Sequence, residues 1–250
     1  MMRRFLPLQY LLSVVFIAQM YVMMAVIAVV FAPAVLLRRE VAYTACRTYC
    51  RWVRWSARWI VGLSSEIRGD VPEDEVLIAS KHQSFFDIIL IVSAVPRPKF
   101  VMKKELLRAP IVGFYAKRIG CVAVDRAKRG KALRQMVAQV AAGRSMPGQL
   151  IIFPQGTRVA PGAKERYKGG AAALYLELGE DCVPAATNVG VFWPRHGVLR
   201  RPGHAVLEFL PRIAPGLEHH AFLETLEQRV ETASDALMRE AGFPVRETLT

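Results

Sequence analysis

His82 and Asp87, five positions apart behind the apolar run Val76-Leu77-Ile78-Ala79-Ser80, are the residues of this chain best suited to chemistry. An imidazole held by a carboxylate is a device for proton transfer, because the acid fixes the tautomer and steadies the ring once it has gained a proton. On one continuous helix, five residues would set the two side chains about 140° apart, so they cannot pair on a single helix face. A strand ending near Ser80, a tight connection and a helix beginning near Ser84 would bring them together. Ser84 and Asp87 have the Ser-x-x-Asp spacing of a capping box, which fits that break. The same spacing also suits a surface histidine beside an aspartate that only caps a helix.

The elements needed to place this pair read as an α/β domain, with short β-like runs alternating with helix-like ones. Strands are expected at Val76–Ser80, Lys99–Met102, Cys121–Val124, Leu150–Phe153, Val183–Thr187 and Ala205–Leu210, and helices at 84–94, 104–118, 128–142, 168–178 and 220–241. Polar clusters stand at the ends of three of these strands, where open α/β sheets place their sites. They are His82…Asp87, then Gly120…Asp125-Arg126, then Phe153-Pro154-Gln155-Gly156-Thr157-Arg158. Lys103, Arg126, Arg158 and Lys168 could converge on a phosphate, the arginines by bidentate contact and the lysines as point charges. Gly156 would let the backbone approach a ligand closely.

Charge and hydropathy divide the 250-residue chain. The net charge is +13, of which residues 1–63 supply +7 from eight Arg and one acid, Glu40. Phe5 to Leu37 contains no charged residue, longer than the ~20 residues a spanning helix needs. Gln9, Gln19 and Pro33 interrupt it, so a helix dipping into one leaflet is an alternative. The heavier arginine flank on the C-terminal side predicts that the rest of the protein faces the cytoplasm. Arg47, Arg51, Arg54 and Arg58 fall on one helical stripe with Trp52, Trp55 and Trp59 one residue on, as in a helix lying on an anionic membrane surface. The expected division is therefore 1–63, an anchor helix plus a basic interfacial helix, and 64–250, the catalytic domain. Cys46, Cys50, Cys121 and Cys182 lack the spacing of a metal site.

Together these segments resemble the glycerolipid acyltransferase family, most closely the 1-acylglycerol-3-phosphate acyltransferases. The family's His-x-x-x-x-Asp motif is His82…Asp87, and its Gly and apolar strand ending in Asp-Arg is Gly120…Arg126. Its Phe-Pro-Glu-Gly-Thr-Arg segment stands as Phe153…Arg158, followed by Lys168-Gly169-Gly170, and its Val-Pro stretch is Val183-Pro184-Ala185-Ala186. One position departs: the usual Glu is Gln155, which keeps the size and loses the charge.

The resemblance implies an α/β fold, a mixed sheet flanked by helices with an N-terminal membrane-embedded helical segment. It also implies transfer of a fatty acyl group from acyl-CoA or acyl carrier protein to the sn-2 hydroxyl of lysophosphatidic acid at the cytoplasmic (inner) membrane. His82 would be the general base and Asp87 its orienting acid. Lys103, Arg126, Gln155, Gly156, Thr157, Arg158 and Lys168 would bind substrate, with no metal and no bound cofactor required. Gln155 keeps open another acceptor, such as lyso-ornithine lipid. A membrane-tethered nucleic-acid binder is the rival from another class, but the basic excess sits beside the anchor and lacks interleaved aromatics in the later part of the chain. A hydrolase would need a Gly-x-Ser-x-Gly elbow, which the sequence does not contain.

Overall fold

The computed structural model describes residues 6–125, 129–142 and 147–245. Its strands are β1 (Leu63–Arg68), β2 (Leu77–Ser80), β3 (Pro98–Lys103), β4 (Val122–Val124), β5 (Gln149–Ile152), β6 (Cys182–Thr187) and β7 (Gly203–Phe209). Among the described residues they form one sheet in the order β1-β7-β6-β2-β5-β3-β4. Every neighbouring pair is parallel except β6 with β7, so the sheet is mixed. The helices are α1 (Leu6–Leu37), α2 (Val41–Ser56), α3 (Phe86–Ala94), α4 (Pro110–Arg118), α5 (Arg129–Ala142), α6 (Gly170–Leu178) and α7 (His219–Glu240).

The central strands are short, buried along their whole length and mostly apolar, as strands covered on both faces are. Successive side chains on β2 and β5 point to opposite faces. Ile78 and Ile151 join a core with Phe16, Val53 and Leu90 from α1, α2 and α3. Leu77, Ala79, Leu150 and Ile152 join another with Tyr175, Phe222, Leu226 and Val230 from α6 and α7.

Two local expectations change. β1 was not expected, because Leu-Ser-Ser-Glu-Ile-Arg is too polar to read as a buried strand; it is an edge strand in register with β7. The single helix expected over 104–118 is a 3-10 turn (Lys104–Arg108) followed by α4. Pro110 starts α4 and forces Ala109 into extended backbone (ψ 125), as the residue before proline requires.

α1 lies along the domain. Its buried residues Gln9, Ser13, Phe16, Met20, Ile27 and Val35 form one packed stripe, while Leu11, Val15, Val22, Val29 and Leu37 on its other faces are exposed. The two glutamines that interrupt the apolar run turn inward. Gln9 Nε2 donates to the carbonyls of Val61 (3.1 Å) and Arg200 (2.7 Å). Gln19 bonds the Ser56 hydroxyl and accepts from Trp52. Phe16 meets Trp193 edge to face. The boundary expected at 63/64 thus runs through one shared core. The basic stripe of α2 also divides: Arg47 and Arg54 turn inward onto the Val95 and Pro96 carbonyls and onto Ser65 and Ser93. Arg51, Arg58, Trp55 and Trp59 stay exposed.

Candidate active site

β2 and β5 are parallel neighbours, and the loops leaving their C-terminal ends carry the first and third sequence clusters side by side. His82 Nδ1 lies 2.9 Å from Asp87 Oδ2. The same oxygen accepts the backbone N–H groups of Gln83 (2.8 Å) and Ser84 (2.7 Å). An oxygen already serving two amide donors makes Nδ1–H the donor in the third bond, which leaves Nε2 as the proton-accepting nitrogen. Ser84 Oγ accepts from the Phe86 N–H at 3.2 Å and not from Asp87, so of the expected capping box only the acid's half forms, Asp87 taking the Ser84 N–H with the oxygen that also holds the histidine. The Phe153 ring stacks on the imidazole with centroids 3.9 Å apart, and the Val159 N–H donates to the His82 carbonyl at 2.7 Å. The His82 ring is therefore fixed from the edge by Asp87 and from the face by the β5 loop.

His82 opens onto a cavity of about 570 Å³. Its walls are apolar side chains of α1, α2, α3 and α4, among them Ile27, Ala45, Tyr49, Ile88, Val92 and Ala116, and its mouth carries Lys103, Thr157, Arg158 and Arg195. Such a cavity takes an apolar chain with a polar or anionic end at the mouth. Three cysteines also line it. Burial pushes the Cys46 thiol up to about 12, the Cys121 thiol up to about 11 and that of Cys50 well above the usual range. These thiols stay protonated, and a thiol is a poor nucleophile. Ser84 is fully buried and engaged in the cap.

Around the mouth, Arg158 and Arg195 donate to each other's backbone carbonyls at 3.3 and 3.0 Å. This aligns two guanidiniums whose remaining donors can take an anion. Arg195 escaped the sequence reading because it follows Phe192-Trp193-Pro194 in a loop without a strand-end pattern. Lys168 is exposed beside the third cluster: a Cβ placed on Gly156 (φ +68) would come within 3.0 Å of its Nζ. Gly156 thus allows a left-handed turn and close passage of the lysine. Gln155 lies beneath the loop, 1 % exposed, outside the cavity wall. Arg126 is outside the described residues; its neighbour Asp125 pairs with Lys104. Val183–Ala186 are buried within β6, where they support β2 rather than reach the cavity.

A family profile described as Acyltransferase matches residues 64–188, half of the chain. The chain is 29 % identical over 206 residues to the 1-acyl-sn-glycerol-3-phosphate acyltransferase of Pseudomonas aeruginosa, covering 82 % of this chain and 80 % of that protein. It is 30 % identical over 142 residues to the lyso-ornithine lipid O-acyltransferase of the same organism, covering 55 % and 52 %. The crystal structure of the 1-acyl-sn-glycerophosphate acyltransferase of Thermotoga maritima superposes with a TM-score of 0.74 over 91 % of this chain and 95 % of that one, at 21 % identity. The mixed sheet, the strand-end loops and the profile match together place the chain in the Acyltransferase family as an O-acyltransferase.

Proposed function

We propose that the protein transfers a fatty acyl group from a thioester to the sn-2 hydroxyl of 1-acyl-sn-glycerol-3-phosphate, giving phosphatidic acid for phospholipid synthesis. The observation that carries this reading is a His82–Asp87 pair at an apolar cavity whose mouth holds Arg158, Arg195 and Lys103. His82 Nε2 takes the proton of the acceptor hydroxyl as its oxygen attacks the thioester carbonyl. The new ester bond forms, the carbon–sulfur bond breaks, and the thiol leaves with a proton. Asp87 holds the imidazolium. The thioester is already activated, so no acyl-enzyme intermediate is needed. Arg158 with Arg195, Lys103 and Lys168 receives the acceptor phosphate, with Arg126 a further candidate. The donor is acyl-CoA or acyl carrier protein, both anionic and both favoured by the chain's positive charge. No metal or bound cofactor enters the proposed reaction.

The exposed apolar faces of α1 and the exposed Trp55 and Trp59 belong against a lipid phase. A helix packed lengthwise on its own domain suits insertion into one leaflet. In this reading Arg51 and Arg58 meet anionic headgroups at the cytoplasmic face of the inner membrane, and the cavity lies where lysolipid arrives.

The test is a competition in which the detergent-purified protein is offered lysophosphatidate and lyso-ornithine lipid together with an acyl thioester. Phosphatidate as the dominant product is expected, and Arg158→Ala should then raise KM for lysophosphatidate about tenfold to a hundredfold, the loss of one charge-assisted contact. Dominant acylation of the ornithine lipid would overturn the phosphate assignment. That second acceptor is favoured by Gln155 and by the likeness to the lyso-ornithine lipid enzyme.

The cavity also predicts donor selectivity. Ala116 is 5 % exposed on its wall, and Ala116→Phe should shift the preferred acyl chain to a shorter one. Each methylene excluded removes about 0.8 kcal/mol of burial, so a two-carbon shift in a series of acyl-CoA donors is readily measured. An unchanged chain-length profile would show that the acyl group lies elsewhere.

A further inference from the structure

Glu231 on α7 lines no part of the cavity, yet it contacts both the loop after β2 that carries His82 and, at two points, the connection from β5 to α6 that carries Arg158 and Lys168. It forms an ion pair with Lys81, whose side chain is 2 % exposed. Its Oε1 accepts from the Tyr167 hydroxyl at 2.9 Å and from Gln155 Nε2 at 3.5 Å. Each partner immediately precedes an assigned residue in the chain: Lys81 precedes His82, Gln155 precedes Gly156, and Tyr167 precedes Lys168. Lys81, Gln155 and Tyr167 are all buried.

The electrostatics make this carboxylate hard to replace. A buried ammonium without its carboxylate is strongly unfavourable, so Lys81 can remain in place only while Glu231 faces it. Gln155 contributes an amide here, and its buried Oε1 has no partner among the described residues. A second carboxylate at 155 would stand against Glu231 at close range, which disfavours having both charged. The surroundings already carry that strain: burial and Glu231 together raise the Asp235 carboxyl, and burial and Glu231 raise the Tyr167 phenol. The groups facing this spot are Lys81, Tyr167, Glu227 and Asp235, with Arg239 and Lys164 acting on Asp235.

We propose that Glu231 is a positioning residue for acyl transfer: one carboxylate on α7 sets His82, the Gly156–Arg158 turn and Lys168 relative to one another, supplying from the helix the negative charge that Gln155 lacks. This rests on the acyl-transfer reading of His82 and Arg158. Loss of the charge would shift the base and the anion site together. A displacement of about 1 Å costs on the order of a hundredfold.

The experiment is steady-state kinetics with lysophosphatidate and acyl-CoA on the purified full chain, comparing Glu231→Gln, Gln155→Glu and the double variant, each well below its own melting temperature. Glu231→Gln should lower kcat and raise KM together, reducing kcat/KM about tenfold to a hundredfold. Gln155→Glu should be most active at about pH 6, where one acid of the pair holds a proton, and lose rate towards about pH 8, more steeply than wild type, as both become charged. The double variant, with one carboxylate restored, should recover about tenfold over Glu231→Gln and lose that pH dependence. If Glu231→Gln does not fold, the Gln155→Glu pH profile and the double variant carry the test. Folded Glu231→Gln with unchanged kcat and KM, or a Gln155→Glu profile that matches wild type, would overturn the proposal. Two controls separate the levels: full activity of His82→Ala would remove His82 from the reaction, and a wild-type chain that forms no phosphatidate would reject the acyl-transfer reading itself.

Discussion

His82→Ala is expected to lower kcat by about 10²–10⁴-fold, the usual contribution of a general base, with little change in KM and an almost unchanged melting temperature. The fold should tolerate it because the imidazole is at the cavity edge, its side chain 14 % exposed. Asp87 also keeps its two backbone bonds to Gln83 and Ser84 when the ring is gone. What disappears is the nitrogen proposed to accept the hydroxyl proton. Initial rates on the purified variant, with its melting curve, check this. A rate within a few-fold of wild type would remove His82 from the reaction and leave only binding effects to explain turnover.

The site was legible where chemistry and local structure coincide. Ser84 and Asp87 have capping-box spacing, and the half of that box that forms, Asp87 Oδ2 on the Ser84 N–H, presents the same oxygen to the histidine five residues back. The strand alternation of Leu77-Ile78-Ala79 follows from burial on both faces and was visible as an apolar run. Contacts fixed by tertiary packing were not legible. Arg195 reaches the cavity mouth because its loop folds back on Arg158, and nothing in its neighbourhood marks it as a ligand. Glu231 reads as a polar position of an amphipathic helix until α7 is packed under the β2 and β5 loops. The even arginine stripe of α2 suggested one face laid on an anionic membrane surface. Helical periodicity cannot reveal that Ser65 and Ser93 wait opposite Arg54, drawing it inward while Arg51 stays outside. Gln9 and Gln19 likewise looked like defects in a membrane helix and are its polar attachments to the domain.

Asp87→Asn should produce a comparable loss of rate, about 10²–10⁴-fold in kcat, but by a different route and with a different stability signature. Asp87 is fully buried, and one of its oxygens accepts three N–H donors. An asparagine oxygen in that place would keep the geometry but surrender the charge that strengthens each bond and steadies the imidazolium. The NH₂ group would occupy the site of Oδ1, which is buried and has no partner among the described residues, leaving a desolvated donor unsatisfied. Weakening this arrangement should cost about 2–3 kcal/mol, a fall of about 4–12 °C in melting temperature for a chain of this size. His82→Ala should not show that fall. Combining the two substitutions distinguishes a working pair from two independent residues. If Asp87 acts through the histidine, the double variant should be no slower than His82→Ala alone, because an orienting acid has nothing left to orient. Multiplied losses in kcat would instead assign Asp87 a separate role in the reaction, and the proton-transfer scheme built on Nδ1–H···Oδ2 would have to be abandoned.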